Sequence, residues 1–215
     1  IDIMLLSQEK TEKILKKYSF NIPKQFIVKD KISTCRLKFP VALKIDSKDI
    51  IHKTDIGLVF IGLNSIKEVN EKIIESKKIL KKKNVLEYNF LLQEMIKGTE
   101  IIMGMKRDET FGPVIIFGLG GVMVEIIKDI SMRIAPLNKS DCLEMIDELK
   151  GKKLIEGYRS YPKLDKNKIS QALINLSKLS LNEKNIIEID FNPVIADEKR
   201  CCVVDARIIR EEKKC

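Results

Sequence analysis

The order of apolar and polar residues along the chain predicts both helices and strands. Residues 7–18 place Ile and Leu at helical spacing among Lys and Glu, and Pro23 follows as a stop signal. A second helix begins at Ser65, which forms a capping box with Glu68, and it ends in a run of lysines. Two further helices are predicted over residues 139–150 and 166–179.

Short apolar runs bounded by turn residues predict strands. One of them, residues 40–45, carries Lys44 near its end. The others are residues 25–29, 58–63, 89–95, 100–106, 113–117, 122–127, 131–135, 186–191 and 201–205. A turn is predicted at 192–193 and a charged tail after 205. Helices and strands in mixed order favour an α+β or α/β sandwich over a helical bundle.

The composition is that of a folded protein without a membrane span. Of 215 residues, 44% are hydrophobic and 33% charged, which is enough apolar material for a core. The longest apolar stretch, residues 114–127, contains three glycines and Glu125 and falls short of the roughly 18 apolar residues that a membrane helix needs. The first residues show no basic leader or cleavage site, so we expect a cytoplasmic protein that does not bind a membrane.

Cysteine and histidine counts narrow the chemistry. The five cysteines contain no C-x-x-C pair, which argues against a disulfide framework or a zinc cluster. A single histidine excludes any site that needs two imidazoles, and no G-x-S-x-G motif accompanies it.

The net charge of +9 fits a nucleic-acid partner, an anionic substrate or a lysine-rich surface. Much of the excess lies in the lysines at 77–78 and 81–83, at the end of the second predicted helix, where they suit the helix dipole and stay solvated. No aromatic residue interleaves with them, as base stacking would require. The sequence therefore favours a solvated surface over nucleic-acid binding.

Two features could bind phosphate. Lys44, at the end of an apolar strand, is either a snorkelling edge residue or a fixed ammonium directed at an anion. Gly118, Gly120 and Gly121 follow the strand 113–117, so their backbone N–H groups could approach an anion, or the segment could simply be a tight turn. The spacing matches neither a dinucleotide fingerprint nor a P-loop.

Oxygen ligands alternate along a later strand. Glu188, Asp190 and Asn192 are expected on one face, and Asp205 on the next strand joins them. Such a hard oxygen set suits Mg²⁺ held together with substrate phosphates, although a solvated strand face would show the same alternation.

His52 lies in a polar stretch between Asp49 and Asp55, predicted to be a loop of about a dozen residues. A lone loop histidine is usually a surface residue. An imidazole on a long loop can also act as a nucleophile that accepts and hands on a phosphoryl group.

Taken together, several segments in fixed order resemble one family. They are residues 39–45, the 47–55 loop with His52, 93–100, 106–108 with 111–113, 117–121, 133–137, 190–193 and 204–207. The chain is similar over nearly its whole length to the β subunit of ADP-forming acetyl-CoA (acyl-CoA) synthetases, the ATP-grasp part of the NDP-forming acyl-CoA synthetases.

The resemblance implies one ATP-grasp domain over residues 1–215, in which two α+β subdomains enclose a nucleotide. The small subdomain would span residues 20–92 and carry the His52 loop. The large one would span 93–215 together with the N-terminal helix 7–18. It also implies the conversion of acyl-CoA, phosphate and ADP to free acid, CoA and ATP, which requires a CoA-binding α subunit, in an α2β2 assembly. In the family, that subunit forms the acyl phosphate and a first phosphohistidine, and a histidine on the β loop, here His52, carries the phosphoryl group to ADP.

The family's roles carry over residue by residue. Lys44 matches the lysine on the nucleotide phosphates, and Glu100 matches the ATP-grasp glutamate that faces the nucleotide. Asn192 and Asp205 match Mg²⁺ ligands, with Asp190 as a helper. The adenine segment corresponds to Gln93, Glu94, Met95 and Ile96, and phosphate-side contacts are expected from Arg107, Gly118, Gly120 and Gly121.

Two other functions stay open on the residues alone. One is an ATP-grasp ligase that joins a carboxylate to an amine or thiol through an acyl phosphate, without phosphohistidine. The other is a basic binding module for nucleic acid or an anionic partner.

Overall fold

A computed structural model describes residues 2–47, 58–121, 128–159 and 161–212. Within them the chain forms eleven strands and five helices. The strands are β1 (Asp2–Leu5), β2 (Gln25–Val28), β3 (Val41–Asp46), β4 (Val59–Leu63), β5 (Asn89–Glu94), β6 (Thr99–Asp108), β7 (Gly112–Leu119), β8 (Ile130–Ile134), β9 (Ile186–Ala196), β10 (Cys201–Val203) and β11 (Ala206–Glu212). The helices are α1 (Gln8–Lys17), α2 (Ile66–Lys82), α3 (Lys139–Asp147), α4 (Lys153–Glu156) and α5 (Lys166–Asn182).

The chain divides into two compact units. The smaller unit is Pro23–Met95, and the larger unit combines Ile1–Ile22 with Ile96–Cys215. The sequence predicted a small subdomain of residues 20–92, so each observed boundary of the smaller unit lies three residues later in the chain. The shift assigns Gln93, Glu94 and Met95 to the smaller unit.

The smaller unit is a four-stranded antiparallel sheet, in the order β2-β5-β3-β4, with α2 packed on one face. Apolar side chains at every second position of β3 and β5 meet the apolar stripe of α2, because strand and helix periods both direct one face inward. Ser65 caps α2 by accepting a hydrogen bond from the Glu68 N–H at 3.2 Å. The Glu68 carboxylate accepts a hydrogen bond from the N–H of Asn64 rather than from that of Ser65. This is a small departure from the predicted capping box.

The lysines at the end of α2 are largely solvent-exposed, as the sequence predicted. Lys78, Lys81, Lys82 and Lys83 are exposed, and the partly exposed Lys77 pairs with Asp30 at 2.9 Å. Exposed ion pairs of this kind contribute little to stability, so this part of the charge excess is a surface feature.

The larger unit is built on an antiparallel sheet in the order β1-β11-β9-β6-β7-β8, with β10 paired to β9. Helices α1, α3, α4 and α5 contribute to one core with the apolar side chains of a single face of this sheet. That face includes Met103 and Met105 of β6 and Phe117 of β7. Side chains at the alternate positions point away from this core, and we call this side the outer face.

Several predicted elements of the larger unit differ from the structure. β9 continues through 192–193 to Ala196, where a turn was expected. Residues 206–212, expected to be a charged tail, form β11 between β1 and β9. The neighbouring strands form hydrogen bonds with the backbone N–H and C=O groups of β11. Its charged side chains can therefore lie on the surface of the sheet. The predicted strand 122–127 lies outside the described residues.

Among the described residues, no helix has the length and apolar character needed to cross a membrane.

Candidate functional site

The outer face of the larger sheet changes from charged to apolar across the strands. One row of directly paired residues runs from Arg207 on β11 through Asp190 on β9, Gly104 on β6 and Ile116 on β7 to Met132 on β8. A parallel row carries Glu188, Lys106, Val114 and Ile134. The charged groups therefore cluster on β11, β9 and β6, next to a glycine that projects no side chain.

The predicted metal ligands lie in this charged region. Asp190 and Asn192 are two residues apart on β9, both exposed, while the intervening Phe191 is fully buried in the core. Asp205 lies in the bend between β10 and β11 rather than on the strand expected from the sequence. The Asn192 N–H donates to the Asp205 carbonyl at 3.1 Å, and the Asp205 N–H donates to the Pro193 carbonyl at 3.3 Å. These bonds fix the two backbones side by side.

The Asp190 carboxyl experiences both loss of solvation and neighbouring charge. Surrounding protein atoms reduce its hydration and raise its pKa above the ordinary value. The positive charge of Arg207 opposes this rise, whereas the negative charges of Glu188 and Asp205 add to it. The Asp190 carboxyl is thus electrostatically coupled to Arg207, Glu188 and Asp205.

The donor chemistry of this group fits Mg²⁺. The amide oxygen of Asn192 and the carboxylates of Asp205 and Asp190 are hard oxygen ligands. Within the described ranges, no group of three or more His, Cys, Asp or Glu side chains is placed to hold a metal ion. In nucleotide sites Mg²⁺ uses one or two protein carboxylates and completes its shell with phosphate and water.

Glu100 is exposed near the start of β6, and two glycines lie against it. The Gly120 N–H donates to the Glu100 carbonyl at 2.8 Å. A Cβ at Gly120 would lie 2.9 Å from the Cβ of Glu100, and one at Gly121 would lie 3.4 Å from Glu100 Oε2. The absence of side chains at 120 and 121 thus creates the space in which Glu100 sits.

This geometry corrects the phosphate-contact prediction for two of the three glycines. Gly118 is a buried position of β7, and a Cβ there would lie 2.7 Å from the carbonyl oxygen of Asp129. The N–H of Gly120 is already used by Glu100. Both glycines are needed for close backbone packing, Gly118 within β7 itself and Gly120 just after its end. Gly121 has a left-handed backbone conformation at φ +63°, and its contact with phosphate stays a prediction.

The predicted phosphate contact of Arg107 also requires correction. Its Nε donates to the Ile186 carbonyl at 2.9 Å, and its Nη2 donates to the carbonyls of Ser180 at 2.6 Å and Glu183 at 3.3 Å. Ser180 is in the last turn of α5, where carbonyls lack helical partners, so a guanidinium there satisfies and stabilises the helix end. Arg107 follows Met103 and Met105 in the inward alternation of β6, on the side opposite to the outer face.

In the smaller unit, Lys44 and Gln93 share the sheet face opposite α2. Lys44 is buried on β3 and pairs with Leu91, and Gln93 pairs with Ala42, so the two polar side chains are diagonal neighbours. Gln93 Nε2 donates to Gln25 Oε1 at 2.7 Å, which fixes the orientation of its amide. The face opposite α2 thus carries a buried cation beside a polar amide.

Two further residues of the predicted adenine segment, Glu94 and Met95, contact opposite edges of the smaller sheet. Glu94 Oε1 accepts from the Lys24 N–H at 2.7 Å, and Met95 Sδ accepts from the Gly62 N–H at 3.0 Å. The chain passes from one unit to the other between Met95 and Ile96. The contact of the segment from Gln93 to Ile96 with adenine stays a prediction.

His52, the predicted phosphoryl carrier, lies outside the described residues. The end of β3 that leads to it is anchored, because Ser47 Oγ donates to the Glu87 carbonyl at 2.7 Å.

Arg207 lies in the segment 204–207, which contributes to the family resemblance, but no role was predicted for it. Its place on the outer face depends on β11 being a strand, and the charged composition of 206–212 concealed that strand. The alternation of apolar Ala206 and Ile208 with Arg207 could have indicated a strand. In such a strand the two apolar residues face the core, and Arg207 lies on the opposite face.

Comparison with known proteins gives a consistent assignment. The model of the ATP-grasp domain family matches residues 2–209. The chain is 36% identical to an ADP-forming acetate–CoA ligase of Archaeoglobus fulgidus over 98% of its own length but only 31% of the relative. It is 35% identical to the β subunit of the ADP-forming acetate–CoA ligase I of Pyrococcus furiosus, covering 95% of this chain and 91% of that subunit. The chain thus spans about a third of the longer relatives and nearly all of the separate subunit.

Solved structures agree with this coverage. Acetyl-coenzyme A synthetase 1 of Candidatus Korarchaeum cryptofilum, solved with coenzyme A and Ca-AMPCP, superimposes with a TM-score of 0.90 at 36% identity, covering 97% of this chain and 94% of that one. A second structure of that enzyme, with coenzyme A and Mg-AMPPCP, has its phosphohistidine segment pointing towards the nucleotide binding site. It gives a TM-score of 0.77 at 37% identity and covers 96% and 92% of the two chains. These matches confirm the predicted fold, and the chain belongs to the ATP-grasp domain family, in the branch that contains the β subunits of ADP-forming acetate–CoA ligases.

Proposed function

We propose that this chain is the nucleotide-binding component of an ADP-forming acyl-CoA synthetase. The overall reaction converts acyl-CoA, phosphate and ADP to the free acid, CoA and ATP. The observation that carries the proposal is the fixed pair Asn192 and Asp205 beside Asp190 on the outer face, in a chain of this family. Acetate is the acyl group named for several relatives.

The residues of the larger unit would hold the metal. Asn192 and Asp205 would ligate Mg²⁺, and Asp190 would assist from the adjacent position of β9. When bound, the ion neutralises phosphate charge and orients the phosphoryl oxygens. Glu100, fixed by Gly120, would face the nucleotide from β6.

The residues of the smaller unit would contact other parts of the nucleotide. Lys44 would place its ammonium on the phosphates, as its match to the family's phosphate-binding lysine and its place on the same sheet face as Gln93 support. The segment from Gln93 to Ile96 would contact adenine, mainly through backbone groups. Phosphoryl transfer depends chiefly on positioning and charge neutralisation, which these cations and oxygens supply.

His52 would carry the phosphoryl group to ADP. Its imidazole nitrogen forms a bond to phosphorus as the donor's bond to phosphorus breaks. A terminal phosphate oxygen of ADP then attacks that phosphorus, the N–P bond breaks, and ATP leaves. The phosphohistidine segment that points towards the nucleotide site in the Korarchaeum synthetase supports such a relay.

The whole reaction would need a CoA-binding α component. The separate β subunits of Pyrococcus furiosus and the longer ligase chains of other archaea support this requirement, since this chain spans only about a third of the latter. An α2β2 assembly is our proposal for the complex.

A reconstitution assay tests the proposed function. The chain mixed with the CoA-binding component of its own organism should form ATP from ADP, phosphate and acetyl-CoA, and neither component should do so alone. Consumption of ATP to join a carboxylate to an amine, without any phosphorylated histidine, would instead support the ligase alternative. A steeply salt-dependent affinity for DNA or RNA together with no nucleotide binding would contradict both enzymatic functions.

A further inference from the structure

Arg207 occupies the outer face at the edge of the carboxylate group. It pairs directly with Asp190 across β11 and β9, and its neighbours Ala206 and Ile208 pair with the buried Phe191 and Ile189. The alternation therefore places the guanidinium on the same side of the sheet as Asp190. Arg207 is also only two residues from Asp205 along the chain.

The charge of Arg207 already acts on this group. Its positive charge lowers the pKa of Asp190, in opposition to the negative charges of Glu188 and Asp205. Lys106 is exposed and pairs directly with Glu188 on the other side of β9. Arg207 is thus the cation directly opposite Asp190 and next to the predicted metal ligands.

The hydrogen bonds of the two arginines differ sharply. Arg107 donates to three carbonyls around the end of α5. The Nε of Arg207 is buried and has no hydrogen-bond partner within the part of the chain that the structure describes. An unpaired buried donor of this kind is costly in the ligand-free protein, and a ligand that reorients the guanidinium removes that cost.

We propose that Arg207 binds a phosphate oxygen of the nucleotide at the Asn192–Asp205 site, the contact that the sequence assigned to Arg107. This inference rests on the proposed function. A guanidinium presents several N–H donors in a planar fork that matches phosphate oxygens, and its charge persists at all physiological pH values. Its place beside three carboxylates lets it offset the repulsion that a polyanion would meet there.

Calorimetric titrations of three variants test this role. Arg207→Gln should weaken binding of ADP by about 10- to 100-fold in the presence of Mg²⁺, the cost expected for losing a charged hydrogen bond. Binding of adenosine, which carries no phosphate, should stay unchanged. Arg207→Lys keeps the charge but not the fork, so it should give a smaller loss. Arg107→Gln is the matched control, and its folded fraction should bind ADP as the wild type does.

The outcomes separate this inference from the proposed function. Wild-type affinity for ADP in Arg207→Gln would overturn the role of Arg207 while leaving the proposed function intact. Equal losses for ADP and adenosine would show that Arg207 only supports the fold, which also overturns it. Failure of the wild-type chain to bind Mg-ADP at all would overturn both. If Arg207→Gln does not fold, Arg207→Lys decides, because unchanged ADP affinity in that variant contradicts recognition by the fork.

Discussion

Glu100 illustrates how single residues at this site depend on the absence of side chains nearby. Its backbone carbonyl is bonded to Gly120, and the space beside its side chain exists because 120 and 121 are glycines. The sequence showed the glycines and the glutamate separately, twenty residues apart. Their relation required the pairing of β6 with β7, which brings the end of β7 next to the start of β6.

Gly120→Ala should therefore disturb Glu100. The new Cβ would lie 2.9 Å from the Glu100 backbone and Cβ, so the strand must shift. We expect a destabilisation of about 1–3 kcal/mol, typical of overpacking, together with weaker nucleotide binding. Urea unfolding and ADP titration measure the two effects.

Gly112→Ala provides the control for that change. Gly112 has φ +75° and no atom within 4 Å of a Cβ, so alanine there adds backbone strain without any contact. It should lower stability while leaving ADP affinity unchanged. Equal ADP affinities in the two variants would contradict the role of Gly120 in positioning Glu100.

At the scale of elements, β6 and β9 organise the larger unit through strict alternation. The inward positions of β6 hold Met103 and Met105, and Arg107 continues that series to the end of α5. On β9 the outward positions hold Asp190 and Asn192. One sheet thus uses its inner face for stability and its outer face for the candidate site.

Arg107→Gln should be a stability variant. Three hydrogen bonds to carbonyls near the C-terminal end of α5 are lost, and their acceptors are partly buried. We expect the free energy of unfolding to fall by about 2–3 kcal/mol, measured by urea denaturation. Unchanged stability with reduced ADP affinity would restore the phosphate role that the sequence assigned to this residue.

Sequence reasoning succeeded where the local pattern determines the element. The cap at Ser65 and the alternation around Asp190 are local properties, and both are confirmed. The strand β11 was missed because its charged residues resemble a tail. Its backbone hydrogen bonds are made by pairing with β1 and β9, which are distant in the sequence. The sheet faces on which Arg107 and Arg207 lie could not be predicted for the same reason, since they depend on how β6 and β11 pair with their neighbours.

The whole molecule has the pattern expected of one component of a larger enzyme. Its two units each carry part of the predicted nucleotide-binding set, with Lys44 in one and Asp205 in the other. Part of the charge excess of +9 is a solvated lysine cluster at the end of α2. The relatives that match over about nine-tenths of their own length are named β subunits.

His52 should become phosphorylated only in the assembled enzyme. In a mixture with the α component, acetyl-CoA and labelled phosphate, we expect an acid-labile, alkali-stable label on the chain. His52→Ala should abolish both the label and ATP formation while retaining Mg-ADP binding, because binding depends on other residues. A variant with wild-type turnover would remove His52 from the reaction.

The most direct test of the central claim is a calorimetric titration of Mg-ADP into the wild-type chain and into Asp205→Ala, with the same titrations repeated in EDTA. We predict that the wild type binds Mg-ADP, and that Asp205→Ala loses at least about tenfold in affinity with magnesium but little without it, since a ligand of the ion is removed. Circular dichroism should show that the variant retains its fold. Equal Mg-ADP affinities for the two proteins would contradict a metal–nucleotide site at Asn192 and Asp205.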